Sequence, residues 1–357
     1  MLRAVLSGYY GMGNGGDEAL LATLLQMLPP SVKPLVLSAR PQVTELLHQV
    51  EATDRYSALG VPKALRQSDW FIWGGGSLMQ DATSIRNPLY YGGLMGLAKN
   101  FDLRTIAWAQ GVGPLRHRSS QWIARQAFHQ CDRISVRDQA SASLLQEWHI
   151  ESTLAPDPVW ALSAESVPEL SSLPAPRVAV VLRAHPQLNE SRLQLLIRAL
   201  DQLQRATATH LLVIPFQPSQ DRAIAEAIVQ QIPQRSQLIL EDSPRRLKGL
   251  FRGVELVIAM RLHALIMAAA EGARCWALSY DPKVDALMAE LPLPGCRLSE
   301  LPRDAAPLSR EWMECLANGE PLLPETLDSL GDRAAIHQQL FLPDPPQRPQ
   351  MESGKNC

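Results

Sequence analysis
The chain has only five cysteines in 357 residues, and none stands in the C-x-x-C or C-x-x-H spacing of a structural zinc site. Their odd number and irregular spacing also argue against a disulfide framework, so reduced thiols are expected. An excess of either charge is missing too. With 34 basic and 36 acidic side chains the net charge is -2, so no global field draws the molecule to nucleic acid. Any anion must therefore be held locally. No run approaches the ~20 apolar residues of a membrane helix, and the opening MLRAVLSGYYG reads as a first β-strand, not a secretory leader. A cytoplasmic location is expected, with at most peripheral contact at the inner face of a membrane.

What is present is a repeated alternation of short apolar runs with amphipathic stretches, the pattern of an α/β fold built on parallel sheets. Strands are expected at 3–9, 34–39, 69–74, 104–110 and 133–138, and again at 177–183, 210–216, 237–242, 254–260 and 274–280. Between the two sets, Ala155 to Arg177 holds five prolines and four serines, a linker composition. Two doubly wound Rossmann-like domains facing across a cleft are expected: residues 1–160, a linker at 161–176, residues 177–337, and a disordered proline-rich tail at 338–357. Ligands of such folds bind beyond the carboxyl ends of the strands.

After the first strand, Gly11, Gly13 and Gly16 satisfy G-x-G-x-x-G, the fingerprint of dinucleotide binding. The acid that should hold the ribose about 20 residues on is missing, its place being taken by Ser38, Ala39 and Arg40. Asp17 and Glu18 also put carboxylates where a pyrophosphate would lie. Two readings remain: a glycine turn with acids favouring the helix dipole, or Asp17 as a base facing a hydroxylated substrate. The third strand runs into Gly74, Gly75 and Gly76, followed by Ser77, Gln80 and Asp81. Consecutive glycines let backbone N–H groups approach a ligand, so Gly75, Gly76 and Ser77 are candidate binding positions.

Cations stand at later strand ends. Arg137 closes SVRD, Arg183 and His185 close VVLRAH, and Lys283 follows the strand ending in SY. In MRLHALIMAA, Arg261 and His263 fall at the mouth of a helix after a buried strand, where the helix dipole already attracts anions. Arginine supplies a fork for carboxylate or phosphate, lysine a point charge, and histidine an exchangeable proton. Together they suit a small polyanion.

In order and spacing, GYYGMGNGGDEALL (8–21), WGGGSLMQDATS (73–84), AQGVGP (109–114), SVRD (135–138), MRLHALIMAA (260–269) and SYDPKV (279–284) resemble the polysaccharide pyruvyl transferases of the CsaB kind. The resemblance runs from about residue 3 to residue 290. It implies a glycosyltransferase-B-like pair of domains, with the acceptor on the first and the donor on the second. The implied donor is phosphoenolpyruvate, with no cofactor and no metal. The implied acceptor is a sugar of a cell-surface polysaccharide, free or as a lipid-linked precursor, which becomes a pyruvate ketal. By the same resemblance Asp17 and His263 are catalytic, and Arg137, Lys283 and Arg261 bind substrate. His263 is either the acid or a phosphate ligand.

Two other functions fit the same residues: a nucleotide-sugar-dependent glycosyltransferase, and a non-catalytic sensor of anions or sugar phosphates. Thermal shift with phosphoenolpyruvate and with a nucleotide sugar separates the two enzymes. The resemblance predicts stabilisation by phosphoenolpyruvate.

Overall fold
The computed structural model describes residues 1–82 and 84–342. The first sheet has seven strands: β1 (Leu2–Ser7), β2 (Val32–Ser38), β3 (Glu51–Asp54), β4 (Trp70–Trp73), β5 (Arg104–Gln110), β6 (Arg133–Val136) and β7 (Thr153–Leu154), in spatial order β3-β2-β1-β4-β5-β6-β7. The second has six: β8 (Arg177–Val181), β9 (His210–Val213), β10 (Ser236–Leu238), β11 (Leu256–Ala259), β12 (Arg274–Ser279) and β13 (Gly295–Arg297), in order β10-β9-β8-β11-β12-β13. All pairings are parallel. Both central strands of each sheet are hydrophobic on both faces, β4 as WFIW and β11 as LVIA, because helices cover each sheet on two sides. Each sheet is doubly wound, reversing direction between β1 and β4 and between β8 and β11. Loops at a reversal diverge and leave a crevice. The loops carrying Asp17, Gly76, Arg183 and His263 leave these four strands.

The two domains share a core. The first helix, Gly15–Met27, inserts Ala19, Leu20 and Ala22 into an apolar cluster with second-domain Phe216, Leu247 and Ala264. The backbone N–H of Gly15 also donates to the carbonyl of Phe216 at 2.7 Å. Among the described residues no helix is long and apolar enough to cross a membrane.

The expected domain end at residue 337 and tail from residue 338 need correction. After the helix Pro324–Ala334, whose Leu330 and Ala334 pack into the shared cluster, the chain crosses to the first domain as the short helix Ala335–Phe341. His337 is fully buried, its ring nitrogens 2.8 Å from Ser135 Oγ and 2.9 Å from the Pro156 carbonyl. Burial holds it near pKa 4, so it is neutral at physiological pH. Phe341 stacks on Trp70, and the Arg133 guanidinium donates to the carbonyls of Gln339, Leu340 and Leu342. The part of the expected tail at 343–357, including Cys357, lies outside the described residues. Three short edge strands, β3, β7 and β13, were not expected, being polar or only two to four residues long.

Because Phe341 is buried against the first domain, Phe341→Ala is expected to cost about 3 kcal/mol of stability. Urea unfolding followed by tryptophan fluorescence measures this, since the ring lies on Trp70.

Candidate active site
The first glycine turn has two functions. The Gly11 amide is taken by Glu18, whose Oε1 accepts from it at 2.9 Å, while the other Glu18 oxygen lies 3.1 Å from His48 Nε2. Glu18 thus fills the position in which a pyrophosphate would seek the turn's N–H groups. Asn14 caps the helix that follows by accepting from Gly16 N–H. Gly16 meets the other domain: a Cβ there would lie 2.3 Å from His263 Nδ1, so only glycine lets this imidazole close on the helix. Asp17, the next residue, faces the cleft.

Of the glycine run after β4, only part reaches the cleft. A Cβ at Gly74 would strike the Tyr10 hydroxyl, and one at Gly75 would lie 2.8 Å from Leu20 Cδ2. Gly75, expected to bind substrate, is instead a packing position. Gly76 (φ +121°) and Ser77 do line the cleft. Asp81, also noted in the sequence, is a brace: its carboxylate accepts from the Arg116 and His117 amides. Ser77 Oγ is the meeting point of the domains. It accepts from Arg137 Nη2 at 3.1 Å and is contacted by Lys283 Nζ, which extends from the helix Pro282–Glu290 of the second domain.

Arg137 leads to a residue the sequence reading missed. Its Nη1 donates to Asp157 Oδ2 at 2.7 Å and lies 3.2 Å from His263 Nε2, and His263 Nε2 is itself 3.3 Å from Asp157 Oδ2. Asp157 belongs to the expected first domain but sits at the start of the proline-rich connection, where its Oδ1 caps a short helix by accepting from Val159 N–H. One carboxylate therefore holds a first-domain arginine and a second-domain histidine. A signal for it existed, since an aspartate directly before Pro158 is a common helix start. That its other oxygen turns to Arg137 was not readable.

On the second domain, Arg261 is the N-cap residue and His263 the second residue of the helix Leu262–Ala270, as the strand boundary predicted. Arg261 is not a free cation. It is buried, with Nε and Nη2 donating to Asp221 at 3.1 and 2.6 Å, and Asp221 is fully buried in the helix Pro218–Gln231. Arg183 donates through Nη1 to the Tyr280 hydroxyl at 2.6 Å, with its guanidinium 4.9 Å from that ring's centre, and the His185 ring lies tilted against Tyr280 with centres 4.8 Å apart. Asp17, Gly76, Ser77, Arg137, Arg183, Arg261, His263 and Lys283 all line one cleft of about 510 Å³. That lies within the usual range of small-molecule sites. No group of three or more His, Cys, Asp or Glu placed to hold a metal occurs among the described residues.

Electrostatics distinguish the two acids near His263. Burial would raise the Asp157 carboxyl, but Arg137 and His263 beside it hold it far below the usual carboxylate range. It is a permanent anion. For Asp17 burial prevails over the pull of His263, and with Glu18 close by its carboxyl is pushed up to about 6. Burial, and then Arg137, lower the proton affinity of Lys283. A raised carboxyl pKa has a defined sign in stability. Asp17 favours the folded state below its ordinary value of 3.8, and that contribution disappears as pH rises through about 6. Asp17→Asn should therefore raise the melting temperature at pH 7.5, by roughly 1–3 °C, with the gain shrinking below pH 6. Calorimetry at both pH values measures it.

The two-domain fold recurs in solved structures. The chain is similar to UDP-GlcNAc 2-epimerase from Methanocaldococcus jannaschii (TM-score 0.65, 10% identity, covering 95% of this chain and 99% of that one). It is also similar to UDP-GlcNAc 2-epimerase from Neisseria meningitidis bound to UDP-GlcNAc (0.64, 9%, 96% and 99%). A third is Anabaena HepE in complex with UDP and glucose (0.57, 11%, 96% and 95%). At such identities the likeness is one of fold, the glycosyltransferase-B-like pair of Rossmann-like domains. No curated relative matches the sequence significantly. The family model for polysaccharide pyruvyl transferase matches residues 14–282, which span Asp17, the Gly76–Ser77 loop, Arg137, Asp157, Arg183, Arg261 and His263. Three-quarters of the chain and nearly every residue brought to the cleft lie within that match, and the protein belongs to the polysaccharide pyruvyl transferase family.

Proposed function
We propose that the protein transfers the three-carbon unit of phosphoenolpyruvate to two hydroxyls of one sugar, forming a pyruvate ketal and releasing phosphate. The observation that carries this reading is the convergence of Arg137, His263 and Lys283 from two domains beside Asp17, a carboxylate tuned near neutrality. Phosphoenolpyruvate places a carboxylate and a phosphate on one small frame, which calls for several cations close together. Membership of the family supports the sugar acceptor. The acceptor belongs to a cell-surface polysaccharide, or to its lipid-linked precursor met from the cytosolic side.

The roles follow from the chemistry. A proton is added to the methylene carbon, and the carbon bearing the phosphate gains oxocarbenium character. One sugar hydroxyl adds there, the bond to phosphate oxygen breaks with its electron pair leaving on phosphate, and the second hydroxyl closes the ketal. Of the two hydroxyl protons released, one balances the proton gained at the methylene carbon, and the other leaves with phosphate. Asp17, mostly ionised at neutral pH, takes a hydroxyl proton. His263 is the acid, or steadies the departing phosphate. Asp157 holds His263 and Arg137 in place without meeting substrate.

His263→Ala is expected to lower acceptor-dependent phosphate release at least ~100-fold; a near-normal rate would remove His263 from the mechanism. If Asp17 is the base, kcat/KM falls about tenfold per pH unit below pH 6, and this acid limb is absent from the residual activity of Asp17→Asn. The UDP complexes among structures of this fold keep a nucleotide-sugar donor as a second reading. Turnover with a UDP-sugar and none with phosphoenolpyruvate would establish it instead.

A further inference from the structure
The cations of the cleft are of two kinds. Arg137 and Arg261 each have their own buried carboxylate, Asp157 at 2.7 Å and Asp221 at 2.6 Å. Among the described residues, no carboxylate oxygen lies within 4.0 Å of the Arg183 guanidinium or the Lys283 ammonium. An arginine with its own carboxylate attracts a second anion less strongly, because the first carboxylate repels the newcomer. A cation held in a cleft without a direct ion pair has lost hydration and gained only neutral hydrogen-bond partners, and the carboxylates of Asp281, Asp138 and Asp17 act on Lys283 only from a distance. Such a cation gains most when an anion arrives.

Arg183 is also aimed and fixed. Its Nη1 is tied to the Tyr280 hydroxyl, its face lies over the Tyr280 ring, and its Nε is buried with no hydrogen-bond partner. Lys283, in the first turn of the helix Pro282–Glu290, is held by Ser77 Oγ. Tyr280 and Lys283 are three residues apart, so their Cα atoms are separated by at most ~11 Å. Arg183, after β8, and Lys283, after β12, line the same cleft without a direct ion pair, and two such cations suit a small molecule with two anionic groups.

We propose that Arg183, positioned by Tyr280, forms a second anion subsite that binds one anionic group of the donor while Lys283 binds the other. Arg261, held by Asp221, lines the same cleft. The subsite rests on phosphoenolpyruvate as donor, but it can be tested apart from that reading. Phosphoenolpyruvate, inorganic phosphate and UDP are titrated calorimetrically into the wild-type protein, Arg183→Gln, Arg183→Lys and Tyr280→Phe, with unliganded melting temperatures as the folding control. Arg183→Gln is expected to weaken phosphoenolpyruvate binding about 10- to 100-fold. Tyr280→Phe should weaken it less, and Arg183→Lys should recover part of the loss. The unliganded melting temperature of Arg183→Gln should be unchanged or higher, because a charge without a direct ion pair has been removed. Binding to Arg183→Gln within about twofold of wild type overturns the subsite. If wild type ignores phosphoenolpyruvate but binds phosphate or UDP through Arg183, the subsite stands and the donor reading falls. If none of the three binds wild type, the subsite falls with it.

Discussion
The cleft depends on a contact that one methyl group would prevent. His263 rests on Gly16 of the other domain, where a Cβ would lie 2.3 Å from its ring nitrogen. This approach brings the imidazole to Arg137 and Asp157 and raises the second-domain helix mouth to the side of Asp17. An alanine at position 16 would force the domains apart or turn the ring away. The apolar seam beneath, with Ala19 and Leu20 among second-domain side chains, supplies the attraction that holds this geometry.

Around that contact the carboxylates have separate tasks. Asp157 and Asp221 pair with arginines and fix their directions, and both are buried among charge-assisted hydrogen bonds. Asp17 has no such fixed cation bound to it, so its proton is the exchangeable one. The same division runs through the cations. Arg137 and Arg261 belong to the scaffold as much as to the site, whereas Arg183 and Lys283 line the cleft without a direct ion pair among the described residues. A buried pair costs desolvation but fixes geometry, and an unpaired cation leaves its interaction for a ligand.

Most of the architecture was legible because parallel strands buried on both faces leave plain apolar runs. RTIAWAQ and VELVIAM were visible as such, and with them the places where strands end. The edge strands β3 (EATD) and β13 (GCR) have one solvated side and too few residues to show a period. The return of the chain after Pro324 was hidden for a related reason. Its anchors are His337 and Phe341, single side chains entering a pocket made of distant residues, in a segment whose composition reads as a tail.

The sequence by itself determined which residues stand at the carboxyl edges of the two sheets, because strand boundaries are local and every expected site residue follows one. It also determined the chemistry available there: a carboxylate on one side, cations and an imidazole on the other. Only the tertiary structure decided who pairs with whom. That Gly75 packs against Leu20 while Gly76 opens to the cleft, that Arg261 is held by a helix 40 residues earlier, and that Asp157 holds groups from both domains are matters of distance. Coulomb and contact energies depend on separations in space that residue order does not contain.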